Sequence, residues 1–403
     1  MASLIRSIVR LFVARRPPTR LPAIADDILQ EIFLRIGSFA DLASASSACS
    51  TFRRIIADRA FLRRYRTLHP PLLLGFVYSA PADFQRAEAP HPNSAAAHVL
   101  SCAAGFSFDY LPPGLWNRWD PCDVRDGRIL LKSSPERYRG VALAELAVCD
   151  PVFQRYLLLP PITDELLASV EIEDQDLLWF LPRLVPSGEE DDETSFKVIG
   201  WTYCNTKIVV FIFSRCSGSW IVGASTCWDA LSLNMPDYYD QICHYAYGCF
   251  FGRVGREGNR LLKLDMSRME FSVVDLPLHL PPELFDPRIV LAEAGEGRLL
   301  MFSQICGGAS VDYTTLQNES EEGANVCGTV PLPSNYKCSI KCAAGGYIFL
   351  LGTRKGRGAL SAVCFSLEIG TSKIERVSDI RLLKHCHIYP YFGFPVSMSP
   401  RRI

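Results

Sequence analysis

The feature that most constrains this chain is a recurring unit in which a glycine precedes a short apolar strand. The unit appears at Gly127–Leu131, Gly248–Phe251, Gly297–Phe302 and Gly346–Leu351, and the last two intervals between its glycines are each 49 residues. Short runs rich in Val, Ile, Phe and Tyr, separated by Gly, Pro, Asp and Ser, are typical of antiparallel strands. A repeat of about 40–50 residues indicates the four-stranded blades of a β-propeller.

A second marker closes each unit, namely an apolar strand that runs into proline or a charged residue. The markers are YLPP at 110–113, LLPP at 158–161, LNMP at 233–236, VDLP at 274–277, PLP at 331–333 and, without the proline, IERV at 374–377. Six closures predict a propeller of six blades over residues 71–403, and a pair of β-sandwiches is the alternative. The first blade is expected at Leu72–Pro113. Because a closed ring leaves no open sheet edge, the C-terminal segment Ile388–Met398 is expected to pair beside it.

The longest interval between closures, from Pro161 to Pro236, contains an acidic insertion. Residues 163–193 hold 11 Asp and Glu side chains, and Arg183 is their only basic residue. We interpret Glu189–Glu193 as a solvated surface loop rather than a metal site or a site for a basic partner.

Residues 21–70 have a different pattern, that of a small cluster of three or four helices. Apolar residues recur at helical spacing and are predicted to share one face of the first helix: Ile28, Leu29, Ile32, Phe33 and Ile36. Gly37 is predicted to form the C-cap of the first helix. Ser38 is predicted to form the N-cap of a second helix, and Asp58 the N-cap of a fourth. Pro70 and Pro71 end the helical region.

The same region carries an ordered motif. The pair Leu21 and Pro22 is followed along the first helix by Ile28, Ile32, Phe33 and Ile36, the second helix supplies Leu42, and a later element reads Cys49-Ser50-Thr51-Phe52-Arg53. Residues 21–66 thereby resemble the F-box family, and residues 60–76 resemble the junction found in plant, especially grass-type, F-box proteins. Gly37 and Phe52 depart from the family pattern, where proline and tryptophan are common.

The resemblance implies a non-catalytic substrate receptor of an SCF-type (Skp-cullin-F-box) ubiquitin ligase, which bridges a Skp-family adaptor, and through it a cullin, to an unknown substrate protein. The adaptor-binding residues it implies are Leu21, Pro22, Ile28, Ile32, Phe33, Ile36, Leu42, Cys49, Phe52 and Arg53. Arginines at 53, 54, 59, 63 and 64 complement the acidic surface typical of that adaptor. The structural alternative is that these helices only cap the β domain.

Charge and cysteine content limit the other partners. Residues 1–70 carry a net charge of +7 and the remainder −8, so two regions with different partners are expected, and the overall charge of −1 argues against a nucleic-acid-binding protein. The 15 cysteines, taken as reduced thiols, and the lack of a long apolar run indicate the cytoplasm or nucleus and no membrane span. Residues 1–20 are interpreted as a flexible basic tail, with mitochondrial targeting as the alternative.

No motif for a catalytic nucleophile, a metal protease or a phosphate-binding loop occurs, so no catalytic residue, metal or cofactor is predicted. Cys338, Cys342 and the cluster His385-Cys386-His387 are interpreted as strand residues rather than zinc ligands. The alternative function is a propeller-type enzyme, or a propeller that binds a small molecule or glycan.

Aromatic residues in turn-rich segments are the candidate substrate-binding residues, because exposed Trp and Tyr dominate protein interfaces. They are Trp116 and Trp119 in one segment and Tyr238 and Tyr239 in another. The remaining tryptophans at 179, 201, 220 and 228 lie in or beside apolar runs and are predicted to be core residues.

Overall fold

A computed structural model describes residues 25–78, 83–114, 118–133, 143–186, 193–234, 239–254, 260–276, 288–295, 297–304, 308–316, 327–355, 361–381, 387–396 and 399–403. The chain divides into two compact units. The first comprises residues 1–72 and 393–400, and the second comprises residues 73–392 and 401–403.

Four helices form the first unit, in the region where the sequence predicts helices. They are α1 (Asp26–Leu34), α2 (Phe39–Ala48), α3 (Ser50–Ile56) and α4 (Arg59–Leu68). Two of the predicted caps are confirmed. The Asp41 N–H donates to Ser38 Oγ at 3.2 Å, and Asp58 Oδ1 accepts from Ala60 N–H and Phe61 N–H at 2.9 and 3.1 Å. Each cap satisfies main-chain donors that a helix start leaves unpaired.

The predicted cap at Gly37 is wrong, because α1 ends at Leu34 and Gly37 does not adopt a left-handed conformation. Two side chains near the end of α4 instead bind carbonyls at and just after the end of α1. The Tyr65 hydroxyl donates to Ile36 O at 2.6 Å, and His69 Nε2 lies 2.8 Å from Leu34 O. Burial of this hydroxyl raises the pKa of Tyr65 to about 12.

Aromatic contacts build the core of the first unit. The Phe33 ring meets the edge of Phe52 with the ring centroids 5.0 Å apart, and Phe61 packs on its other side at 6.5 Å. Phe394, far away in sequence, packs against Phe39 at 5.8 Å. No sequence pattern indicated that this C-terminal residue belongs to the helical core.

The second unit is a six-bladed β-propeller, as the repeat predicts. Blade 1 contains β1 (Leu72–Tyr78), β2 (Asp83–Arg86) and β23 (Ile388–Gly393). Blade 2 contains β3 (Asp120–Arg125), β4 (Arg128–Ser133), β5 (Glu145–Asp150) and β6 (Arg155–Leu158). Blade 3 contains β7 (Leu177–Val185), β8 (Lys197–Cys204), β9 (Lys207–Ser214) and β10 (Ser219–Cys227).

The other three blades have the same four-stranded antiparallel order. Blade 4 contains β11 (Tyr239–Ala246), β12 (Cys249–Val254), β13 (Arg260–Asp265) and β14 (Glu270–Asp275). Blade 5 contains β15 (Arg288–Glu293), β16 (Leu299–Gln304), β17 (Ser310–Leu316) and β18 (Cys327–Pro331). Blade 6 contains β19 (Tyr336–Ala344), β20 (Tyr347–Arg354), β21 (Ser361–Glu368) and β22 (Ile374–Arg381).

Short helices connect some of these strands. Helix α5 spans Ser94–Ala103 and helix α6 spans Asp164–Ser169, while single 3₁₀ turns occur at Asp174–Asp176 and Asp229–Leu231. Apolar clusters fill the spaces between neighbouring blades: blades 2 and 3, 3 and 4, 4 and 5, and 5 and 6 each share one.

The repeated glycines occupy the turn before the second strand of blades 2, 4, 5 and 6. Gly127, Gly248, Gly297 and Gly346 have φ between 71° and 81°, a conformation that glycine adopts without steric cost. The predicted glycine-led strands are therefore confirmed. Blade 3 lacks this glycine turn, because a long connection joins Val185 to Lys197.

Three details of the predicted repeat are wrong. YLPP and LNMP do not form closing strands, since residues 110–113 and 233–234 lie outside strands. Blade 1 is not a continuous Leu72–Pro113 unit, because its third strand comes from the C-terminus. The acidic insertion contains β7, the first strand of blade 3, while most of Glu189–Glu193 lies outside the described residues.

Ring closure by the C-terminus is confirmed. Strand β23 pairs with β1, and the last residues continue onto blade 2. There the Arg402 N–H donates to Asp150 Oδ2 at 3.0 Å, and Arg402 O accepts from Arg128 Nε at 3.2 Å. Asp150 and Arg128 are both almost fully buried, so these bonds satisfy groups that are costly to leave unpaired.

Deleting residues 401–403 should lower the free energy of unfolding by about 1–3 kcal/mol, because Asp150 and Arg128 each lose a buried partner. Urea unfolding followed by circular dichroism measures the loss. Arg402→Ala is the matched control, because it keeps the main-chain N–H and carbonyl that make both bonds. An equal loss in the control and the deletion would contradict this interpretation.

Candidate functional site

The outward side of helix α1 carries two large aliphatic side chains. Ile28 is 55% exposed and Ile32 is 37% exposed, and their spacing of four residues places them one turn apart on the same side. On the opposite side, Leu29, Phe33 and Leu34 are buried. The single apolar face predicted from the sequence is therefore wrong, because the stripe is divided between the core and the surface.

Two ion pairs connect α1 to the other helices of its unit. Arg54 Nη2 lies 2.6 Å from Asp26 Oδ2, and Arg64 Nη1 lies 2.6 Å from Glu31 Oε1. All four side chains are substantially exposed, so the pairs add little stability. They hold two arginines against α1.

The structure divides the residues that the family resemblance implies for adaptor binding. Phe33, Ile36 and Leu42 are buried in the helical core, and Phe52 is half-buried against Phe33. The exposed members are Ile28, Ile32, Cys49 and Arg53. Leu21 and Pro22 lie outside the described residues.

In the propeller, a buried polar cluster joins the inner strands of blades 2 and 3. The Asp123 carboxylate accepts from Val124 N–H and Leu184 N–H, both at 2.9 Å, and from Arg125 Nε at 3.2 Å. Arg183 donates to the carbonyls of Cys122 and Pro182, each at 2.9 Å. The Asp123 and Arg183 side chains thus connect β3 and β7, which belong to different sheets and share no hydrogen-bond ladder.

A cavity of about 320 Å³ lies between blades 2 and 3. Its walls are largely apolar and include Trp119, Trp220, Phe180, Leu158, Ile162, Pro112, Pro113, Pro160 and Pro161, while Glu145 contributes a carboxylate. Both indole N–H groups are already bonded to the protein. Trp119 Nε1 donates to Pro112 O at 2.9 Å, and Trp220 Nε1 donates to Pro160 O at 2.7 Å. The tryptophans therefore present fixed apolar surfaces.

Of the four aromatic residues predicted to bind the substrate, Trp119 lines this cavity. Trp116 and Tyr238 lie outside the described residues, and Tyr239 begins β11 in blade 4, with its side chain undescribed. Sequence reasoning missed Trp220 as a cavity residue because its apolar neighbours indicated a core position, and it is indeed 9% exposed. The available signal was the repeated Leu-Pro-Pro, since both proline pairs line the cavity.

The possible zinc ligands do not form a described cluster. Cys338 is buried, and burial raises the pKa of the Cys342 thiol to about 12, which disfavours the thiolate that binds zinc. Within the described ranges no group of three or more His, Cys, Asp or Glu is arranged to hold a metal ion, and His385 and Cys386 fall outside those ranges. Across the same ranges, no helix has the length and apolar character needed to cross a membrane.

No family model matches the chain, and no curated protein matches it. Solved structures with a similar fold include a chain of the nidogen/laminin complex, which is 11% identical with a TM-score of 0.34 and matches over 66% of this chain and 80% of its own. An exo-β-1,3-galactanase from Phanerochaete chrysosporium is 7% identical with a TM-score of 0.33, over 63% of each chain. An oligogalacturonate lyase in complex with manganese is 10% identical with a TM-score of 0.35, over 66% of each chain. With TM-scores below 0.5, these similarities carry no conclusion about this chain.

One buried histidine is expected to make the stability of the propeller depend on pH. His244, on the inner strand of blade 4, is 9% exposed. Burial lowers its pKa from 6.5 to about 4; a hydrogen bond to the Ile289 main chain opposes this shift, and the Arg125 cation adds to it. Since the folded pKa is depressed, the unfolded chain binds the proton more tightly, and stability falls as the pH drops from 6.5 towards 4.

We expect His244 to contribute a loss of about 1.4 kcal/mol per pH unit in that range. Urea unfolding at several pH values should show a shallower pH dependence in His244→Gln than in the wild-type protein. An unchanged slope in His244→Gln would show that the histidine is not held neutral.

Proposed function

We propose that this protein is an F-box-type substrate receptor, which bridges a Skp-family adaptor and its cullin to a target protein for ubiquitination. The observation that carries the proposal is the exposed pair Ile28 and Ile32, which occupies two positions of the F-box motif on helix α1. Large aliphatic side chains on the surface of so small a helical unit favour a partner. Fully burying such a side chain is worth about 1.5–3 kcal/mol, and covering the exposed part of each contributes roughly half of that.

The division between exposed and buried motif residues suggests two roles. Ile28, Ile32 and Arg53 are accessible and would contact the adaptor directly. Phe33, Ile36 and Leu42 would act indirectly, because they pack the helices that present this surface. Arg54 and Arg64 are each paired with a carboxylate, so association with an acidic partner would rely on the other predicted arginines, at 53, 59 and 63.

In this role the protein performs no bond-breaking step. It would raise the effective concentration of a bound target near the charged conjugating enzyme. We assign this work to the cytoplasm or nucleus.

The double substitution Ile28→Asp and Ile32→Asp in the full-length protein should weaken adaptor binding at least roughly a hundredfold, because two apolar anchors are replaced by charges. Calorimetry with the purified adaptor measures the affinity. Both side chains are exposed, so the thermal stability should change little. Val99→Asp, at a 57% exposed apolar position in the propeller, is the matched control and should bind the adaptor normally. Unchanged affinity in a folded double variant would reject the proposal.

A second experiment separates the receptor from the alternative of a propeller enzyme. Affinity capture from cells with the same double variant should lose the adaptor and cullin and retain the target proteins. Turnover of a small molecule by the full-length protein, with no adaptor in its cellular complexes, would favour the enzyme instead.

A further inference from the structure

The cavity between blades 2 and 3 has the properties of a side-chain-binding site. Its volume of about 320 Å³ is at the lower limit of ligand sites and suits one or two side chains better than a cofactor. Because both indole N–H groups are bonded internally, the tryptophans offer no hydrogen bonds to sugar hydroxyls or peptide carbonyls. An apolar side chain is therefore the occupant that the walls favour.

The apolar surface extends beyond the cavity along the outermost strand of blade 2. Leu158, which lines the cavity, is 44% exposed, and Tyr156, on the same side of β6, is 39% exposed. Exposed large apolar residues are few in the described part of this propeller, and two of them lie here. An elongated apolar strip that leads into a small cavity fits an extended chain better than a compact molecule.

The other end of the site is acidic. Helix α6 begins two residues after Ile162, a cavity residue, so Asp164 lies within about 8 Å of it along the chain. Asp164 and Glu165 are exposed, and Glu145 lies in the cavity wall. Hydrogen bonds lower the pKa of Glu165, which keeps it ionised.

Two of the described basic groups near the site already have partners. Arg118 Nε lies 2.9 Å from Asp120 Oδ1, and Arg155 Nη1 donates to Ile403 O at 3.3 Å. Residues 71–403 also carry a net charge of −8, from 30 basic and 38 acidic side chains. Both the local and the overall charge favour a cationic ligand.

We propose that this cavity binds a basic linear segment of a partner protein, with one large apolar side chain of that segment inserted between Trp119 and Trp220. Leu158 and Tyr156 contact the chain on one side of the anchor, and Asp164 and Glu165 attract Lys or Arg on the other. The inference deepens the proposed function, because it gives the class of segment that a target would present. It rests on that function only in taking the bound partner to be a target for ubiquitination.

The test uses the full-length protein and three pools of fluorescein-labelled twelve-residue peptides. One pool has a central Leu, Phe or Trp with Lys and Arg flanks, the second has the same centre with Asp and Glu flanks, and the third has a central Ser with basic flanks. Fluorescence polarisation should show the first pool binding at least roughly tenfold more tightly than either of the others. Equal binding by the first and second pools would reject a basic ligand, and equal binding by the first and third would reject the apolar anchor.

Surface variants locate the binding. Leu158→Lys should weaken binding of the first pool by roughly tenfold, because it places a cation at the cavity mouth. Val99→Lys, at another exposed apolar position, should change it less than about twofold. A folded Leu158→Lys protein with normal peptide affinity would overturn the proposal.

The acidic end is tested by Asp164→Lys with Glu165→Lys, which should weaken the first pool and flatten its dependence on salt. Glu270→Lys, on an exposed strand of blade 4, is the matched control. Adaptor affinity measured on the same variants keeps the two proposals separate. Cavity variants that lose peptide binding but bind the adaptor normally would identify the cavity as the peptide site. A wild-type protein that binds the peptides but has no affinity for the adaptor would support the cavity and reject the receptor function.

Discussion

The propeller depends on how its blades are joined. Hydrogen-bond ladders run within each blade, and neighbouring blades share none. Apolar packing fills the junctions, but apolar contacts alone do not fix the relative position of two blades. Buried side chains that hydrogen-bond to the main chain of the next blade fix that position, because a buried polar group is costly unless each of its bonds is made.

These connections recur around the ring with different chemistry. Between blades 2 and 3, Asp123 accepts from the Leu184 N–H. Between blades 5 and 6, Gln304 Oε1 accepts from the Ile340 N–H at 3.0 Å, and its Nε2 donates to Cys338 O at 3.0 Å. Between blades 6 and 1, a main-chain bond joins Glu88 to Val377 at 2.8 Å. Asp123 and Gln304, two of the buried polar residues near the centre of the ring, are thus accounted for by contacts between neighbouring blades.

The sequence predicted those features that are encoded locally. Gly248 and Gly346 reveal their turns because left-handed conformations select glycine. Asp58 reveals a helix start because its carboxylate caps the amides two and three residues later. Features formed by distant residues were not predictable in this way. Phe394 completes the helical core from the far end of the chain, and Trp220 forms a cavity wall only because the loops of blade 2 lie against it.

The same limit explains why helical spacing alone misassigned the outer side of α1. An apolar residue at every third or fourth position shows that a helix has an apolar stripe. The width of the stripe does not show how much of it is buried in the protein's own core. Phe33 packs against Phe52 and Phe61, and Leu29 is buried in the same core. Ile28 and Ile32 remain on the surface one turn apart. An apolar stripe wider than its own core requires is a property of a surface that is completed by a partner. For this chain that exposed apolar surface favours a partner, and the resemblance to the F-box family is what proposes an adaptor as that partner.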